Sequence, residues 1–190
     1  MRQKEFFDER ALKWDHIVNH DPDKLDYIFN IINLNKNDNV LDVGTGTGVL
    51  IPYIHKVIGE QGKITAIDLS DKMLDVAREK FSFKNVKYIQ NDVNNLEIKK
   101  EYDAIICYSV FPHFIDKEVT IKHLSEGLKD KGKLVICHSQ SRDAINNLHK
   151  KAGEEVKEDN LPTMDKIKEM FNKVNLKVQR IIDNDEMFLI

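Results

Sequence analysis

Cysteine is rare in this chain, with two among 190 residues. Two thiols cannot build the disulfide framework of a small secreted scaffold. Cys107 and Cys137 both lie inside apolar, strand-like runs. They read as buried free thiols in a reducing cytoplasm, with a disulfide or a metal pair as the alternative. Four prolines and eight glycines form no rich tract, which excludes a collagen-like or low-complexity chain. No stretch approaches the roughly 18 consecutive apolar residues of a membrane-spanning helix. The opening MRQKEFFDERALKWDHIV lacks the unbroken apolar core of a secretory signal. Charge is balanced too: 29 basic against 32 acidic side chains, net −3. Without a basic face to neutralise phosphates, no nucleic-acid partner is expected, and the pairs Lys99/Lys100 and Lys150/Lys151 read as solvated ends.

What is present is the composition of an ordinary globular domain, 41% hydrophobic and 32% charged. Phe6, Phe7, Ala11, Leu12, Trp14, Ile17 and Val18 recur at helical spacing among charges. HDPDKLDYIFNIINL continues as a helix, with Asp21 as N-cap and Pro22 at its first position. After Asn35 strands and helices alternate. NVLDVG, KITAIDL, VKYIQND, YDAIICYSV and KLVICHSQ read as strands. VLIPYIHKVIG, SDKMLDVAREKF (capped by Ser70), DKEVTIKHLSEGLKDKG (ending at Gly132), SRDAINNLHKKAGEEV and TMDKIKEMFNKV (opening at Thr163) read as helices. LKVQRIIDNDEMFLI reads as two strands meeting at a turn around Asn184. This order predicts an α/β fold, a doubly wound parallel sheet with an antiparallel C-terminal hairpin at its edge. Ligands of such sheets sit beyond the carboxyl ends of the strands, where strand order reverses.

The first such end is DVGTGTG. Glycine admits positive φ and lets a ligand approach without a Cβ in the way. Gly44, Gly46 and Gly48 form GxGxG, and Val49 stands where a dinucleotide fingerprint needs a small residue soon after. No GxxxxGK[ST] pattern occurs either, so a diphosphate or triphosphate is the poorer fit. The second strand ends in Asp68, a carboxylate able to accept both hydrogen bonds of a ribose diol. Asp42, just before the glycines, would repel a phosphate and attract a cation. An adenosine carrying a positive centre and an amino-acid tail satisfies all three features.

VLDVGTGTG, AIDLSDKML, IQNDV and YDAIICYSVFPHF together resemble motifs I, II, III and the post-strand-four segment of the class I S-adenosylmethionine-dependent methyltransferases. The resemblance spans roughly residues 37–190 and implies a Rossmann-like, mostly parallel seven-stranded sheet, with S-adenosyl-L-methionine as cofactor and S-adenosyl-L-homocysteine as product. It implies that Gly44, Thr45 and Gly46 face the methionine moiety, that Asp42 orients the loop or the amino group, and that Gly48 gives close strand–helix packing. Asp68 would hold the ribose, Leu69 and Met73 would pack on adenine, and Asp92 and Val93 would take its amino group and a ring nitrogen. Tyr108 and Ser109 would approach the sulfonium. The NPPY-type tetrapeptide of relatives that methylate amino groups and bases is absent, since Tyr108-Ser109-Val110-Phe111 stands there. That favours a small-molecule acceptor.

His113, just past the fourth strand, is a candidate acceptor contact or general base, and His138, ending the fifth, is a second candidate. Arg142, Asn146 and His149 fall on one helical face. With His138 they could wall a polar acceptor pocket, a capped and solvated helix being the bland alternative. No third ligand accompanies His138 and His149, so no metal centre is read. Residues 1–36, FFDERALKWDHI above all, resemble the lid that small-molecule members place over the cofactor, with Trp14 able to touch the acceptor. Residues 37–190 would form the binding domain, acting as monomer or homodimer. The stretch from Glu154 to Asp159 reads as acidic and solvated. Two competing readings are a nicotinamide dehydrogenase, which Val49 opposes, and a non-enzymatic S-adenosylmethionine-binding module.

Overall fold

A computed structural model describes residues 2–190. Helix α1 (Arg2–Arg10), a tight turn at Ala11–Lys13, α2 (Trp14–Ile17) and α3 (Pro22–Ile32) precede the sheet. Asp21 caps α3 by accepting from the amides of Asp23 and Lys24, with Pro22 at the first position where a missing N–H costs nothing. There follow β1 (Asn39–Val43), α4 (Ile51–Ile58), β2 (Lys63–Asp68), α5 (Asp71–Lys80), β3 (Val86–Gln90), β4 (Tyr102–Tyr108), α6 (Lys117–Gly127) and β5 (Leu128–His138). The chain closes with α7 (Arg142–Ala152), α8 (Met164–Lys173), β6 (Ile182–Asp183) and β7 (Phe188–Leu189).

The seven strands lie in the order β3-β2-β1-β4-β5-β7-β6. β1 pairs in parallel with both β2 and β4, so the winding reverses between β1 and β4, where a crevice opens at the carboxyl edge. Helices cover both faces, and the central strands are accordingly apolar on both sides. Leu41, Ile105 and Ile136 belong to one core, and Val40, Ile106 and Val135 to the other. Burying these runs gives the sheet its main stabilisation, about 25 cal/mol per Å² of apolar surface.

Two sequence expectations need correction. The helix expected to run to Gly132 stops at Gly127, and LKDKG is the first part of β5. Gly127 leaves room for Ile98, since a Cβ there would stand 2.7 Å from the Ile98 side chain. The C-terminal hairpin is shorter than read. Only Ile182–Asp183 and Phe188–Leu189 pair, around Asn184, whose Oδ1 accepts from the amides of Glu186 and Met187. β7 then runs antiparallel to β5. Among the described residues no helix is long and apolar enough to cross a membrane.

Candidate functional site

The three glycines serve three different ends. Gly44, at φ +67, would place a Cβ 2.3 Å from Val110 Cγ2, so both its conformation and its lack of side chain are required by the segment after β4. Gly46, at φ +54, would place a Cβ with nothing within 4 Å; it presents bare backbone to the cleft. Gly48 packs on Ile51, Phe81 and Ala77 and does not line the cleft. The loop is held from β2. The amides of Gly44 and Thr45 donate to the Ile67 carbonyl at 2.8 and 3.0 Å, and that of Gly46 donates to Asp68 Oδ2 at 2.8 Å. Asp68 Oδ1 accepts from Ser70 N at 2.9 Å, joining the loop to the start of α5. Burial pushes the Asp68 carboxyl above its ordinary range.

Around this carboxylate the cleft offers an apolar shelf and further acids. Leu69 is 38% exposed beside buried Met73, and both line the cleft. Asp92 and Val93 line it from beyond β3; Asp92 Oδ1 accepts from the backbone and side-chain amides of Asn94. Asp42 lies beneath, buried, accepting from Thr45 Oγ1 at 2.6 Å. Burial pushes its carboxyl up to about 7.

The opposite wall comes from beyond β4 and from the N-terminal helices. Tyr108 OH is within 2.9 Å of His20 Nδ1 and 2.8 Å of Ser139 Oγ. Burial pushes the Tyr108 phenol up to about 12 and the His20 imidazole down. Ser109 sits at φ 55, a strained backbone for a non-glycine residue, of the kind stored at sites where geometry matters. His113 ends a one-turn helix at Phe111–His113. Lys117 Nζ donates to the carbonyls of Pro112 and Phe114, 2.9 Å each, holding that turn from both sides. Phe7 packs edge-on against the His113 ring and against Trp14. The N-terminal helices that bring Phe7 and Trp14 are tied down in turn, Ser70 Oγ donating to Asp8 and Thr47 Oγ1 to Asp15, which also pairs with Lys80.

Of the expected site residues, Trp14, Asp42, Gly44, Thr45, Gly46, Asp68, Leu69, Met73, Asp92, Val93, Tyr108, Ser109 and His113 meet at this one cleft. His138, Arg142, Asn146 and His149 do not line it. His138 is buried against Phe188 with neither ring nitrogen partnered, and burial holds it down to about 3, hence neutral. Arg142 lies near Asp143 and Asp183. Asn146 grips the backbone of Leu161 in both directions. The His149 ring stands 4.8 Å from that of His113. The acidic stretch read as solvated is not wholly so: Asp159 turns its carboxylate inward onto His113, at 2.7 Å. Gln3, His20 and Thr47 also line the cleft. Thr47 belongs to the glycine motif, whereas Gln3 and His20 stand in none and only the fold brings them to the cleft.

A family model described as a methyltransferase domain matches residues 34–186. The chain is 36% identical over 96 residues to the malonyl-[acyl-carrier protein] O-methyltransferase of Priestia megaterium, covering 50% of this chain and 35% of that protein. It is 32% identical over 107 residues to the ubiquinone/menaquinone biosynthesis C-methyltransferase UbiE of Wigglesworthia glossinidia brevipalpis, covering 54% and 43%. The aligned stretch thus spans less than half of these curated relatives. Among solved structures, the complex between the Haloferax volcanii Trm112 methyltransferase activator and a methyltransferase superposes with a TM-score of 0.82 at 18% identity, over 94% of this chain and 78% of that one. At that identity the likeness speaks for the fold.

Proposed function

Since this chain belongs to the class I S-adenosylmethionine-dependent methyltransferases, we propose that it is an active member that methylates a small organic acceptor and leaves S-adenosylhomocysteine. The observation that carries this reading is convergence: a glycine loop with bare backbone, a carboxylate at the end of β2, an apolar shelf and a second acid all border one cleft. These residues fit the cofactor. Asp68 would hold the ribose hydroxyls, Leu69 and Met73 the adenine face, and Asp92 with Val93 its polar edge. The loop from Gly44 to Gly46, with Asp42 behind it, would receive the methionine moiety, and Tyr108 with Ser109 would stand near the sulfur. When bound, S-adenosylmethionine supplies a methyl group on a positively charged sulfur, open to in-line displacement.

The chain's own work is then mainly positioning and exclusion of water. Trp14, Phe7 and His113 wall the side where an acceptor would enter, and Ile115, 95% exposed, stands at its rim. Residues 1–36 would act as the lid and residues 37–190 as the binding domain. The relatives' names, a malonyl-[acyl-carrier protein] O-methyltransferase and a ubiquinone/menaquinone biosynthesis C-methyltransferase, support an organic acceptor. Two buried free thiols suit the cytoplasm, and the protein would work as a monomer or homodimer, without nucleic acid. Calorimetric titration with S-adenosylhomocysteine, with NAD as control, tests the reading. Micromolar binding of the thioether and none of NAD is expected; binding of NAD instead would overturn it.

A further inference from the structure

Asp159 stands in no motif, in a loop between α7 and α8 that could have stayed in water. Instead its Oδ2 lies 2.7 Å from His113 Nδ1, with the two side chains only 16% and 13% exposed. An ionised carboxylate can only accept, so Nδ1 carries the hydrogen and the lone pair of the neutral ring is left on Nε2. Nε2 has no hydrogen-bond partner among the described residues and is not one of the buried, unpartnered atoms.

The carboxylate is itself fixed. Gln3 Nε2, from α1, donates to Asp159 Oδ2 at 2.9 Å and to the His113 carbonyl at 3.0 Å. Asp159 donates its amide to the Val156 carbonyl, and its own carbonyl accepts from His149 Nδ1 at 2.9 Å. Two residues on, Asn146 takes both backbone groups of Leu161. The face of α7 formed by Asn146 and His149 thus misses the cleft because it is a platform for the loop that carries Asp159. On the other side Lys117 clamps the turn that carries His113. Contacts from α1, from the loop before α8 and its support on α7, and from Lys117 agree on the orientation of one imidazole ring at the wall of the cleft.

We propose that Asp159 is a positioning residue that holds His113 in the Nδ1-protonated tautomer, making Nε2 the proton acceptor for a methyl acceptor that must lose a proton. This rests on the methyltransferase reading above. It narrows the acceptor to a hydroxyl or an acidic carbon, not a tertiary amine or a thioether. The proton on the acceptor atom passes to Nε2, and the electron pair left behind forms the new bond to the methyl carbon. The carbon–sulfur bond breaks with its pair going to sulfur, and the carboxylate of Asp159 offsets the imidazolium until the proton leaves to water.

The test is two-bond proton–nitrogen NMR of the full chain labelled with ¹⁵N-histidine, which reports the tautomer of each ring directly. In the wild type His113 is expected to be Nδ1-protonated, and an Nε2-protonated ring there overturns the proposal before any variant is made. Asp159→Ala is expected to lose the Nδ1-protonated signature, and its persistence overturns the proposal. As a measurement needing no variant, diethyl pyrocarbonate followed by peptide mass mapping should carbethoxylate His113 in the wild type. An unmodified His113 means that Nε2 is closed to any acceptor, and the proposal falls. Titration with S-adenosylhomocysteine separates the two readings: Asp159→Ala should bind it as the wild type does, so absence of binding in both counts against the methyltransferase reading, not against the tautomer.

Discussion

The cofactor half of the cleft, from β1 to β3, and the acceptor half, beyond β4 and β5, are built by different rules. In the first, the carboxylates expected to hold the cofactor are fixed from within β1 to β3 and the loops that follow them: Asp68 takes Gly46, 22 positions away, and Asp92 takes Asn94, two away. In the second, Gln3 reaches Asp159 across 156 positions, and His113 meets it across 46. Short-range contacts leave a motif on the chain; long-range ones leave none. Substitutions in the first half should therefore cost cofactor binding, and many in the second should leave it untouched.

The largest effect expected of any single change is at Gly44. A methyl group there collides with Val110 and must also sit at positive φ. Gly44→Ala should destabilise the fold by about 2–4 kcal/mol, combining overpacking with the left-handed backbone. Urea midpoints measure it, and a loss under a few tenths of a kcal/mol would mean that the loop yields more easily than its packing implies. Next comes Asp68→Ala. It strands the amides of Gly46 and Ser70 and removes the ribose acceptor, so S-adenosylhomocysteine should bind more weakly by about 1–3 kcal/mol. Unchanged calorimetric affinity would break the comparison at its firmest point.

His138 tests the other half. Its ring is buried with both nitrogens unpartnered, a polar burial that an apolar side chain of similar size avoids. His138→Leu should gain about 1 kcal/mol in stability with S-adenosylhomocysteine affinity unchanged. A marked loss of stability would reveal that the ring has a partner, and a loss of affinity would move His138 into the cofactor half.

The same division decides what could be read from the chain. The sheet was legible because β1 and β4 are mainly apolar runs of strand length, and because Asp21 and Ser70 cap helices as their residue types predict. The end of α6 was not, since the contact of Gly127 with Ile98 comes from another segment of the chain and LKDKG joins β5. Asp42 near the end of β1, Asp68 at the end of β2 and Asp92 just beyond β3 arrive at one cleft. Asp159 lies in a run of acids whose pattern is that of a solvated loop; the grip of Asn146 and His149 on that loop, with Gln3 and His113 on its carboxylate, turns it inward.

Asp42, on the central strand β1, has an effect that appears only as a difference between pH values. Burial raises its carboxyl to about 7 in the folded protein from an ordinary 3.8. Between those values the folded state holds a proton that the unfolded state has released, so stability falls as pH rises through the window. Other carboxylates act in the opposite sense: Asp15 and Asp103 are held below their usual range despite partial burial, by hydrogen bonds including those from Lys80 and Lys129 respectively. The Asp42 contribution is therefore isolated by comparison with Asp42→Asn, which keeps an oxygen for Thr45 Oγ1 but cannot ionise. Tm followed from acid to neutral pH should fall further in the wild type than in the variant, with the two curves parting above pH 3.8 and running parallel again beyond about 7. Curves that stay parallel would mean that Asp42 is ionised throughout, its charge met by a neighbour, and that the loop can hold a fixed anion beneath the cleft.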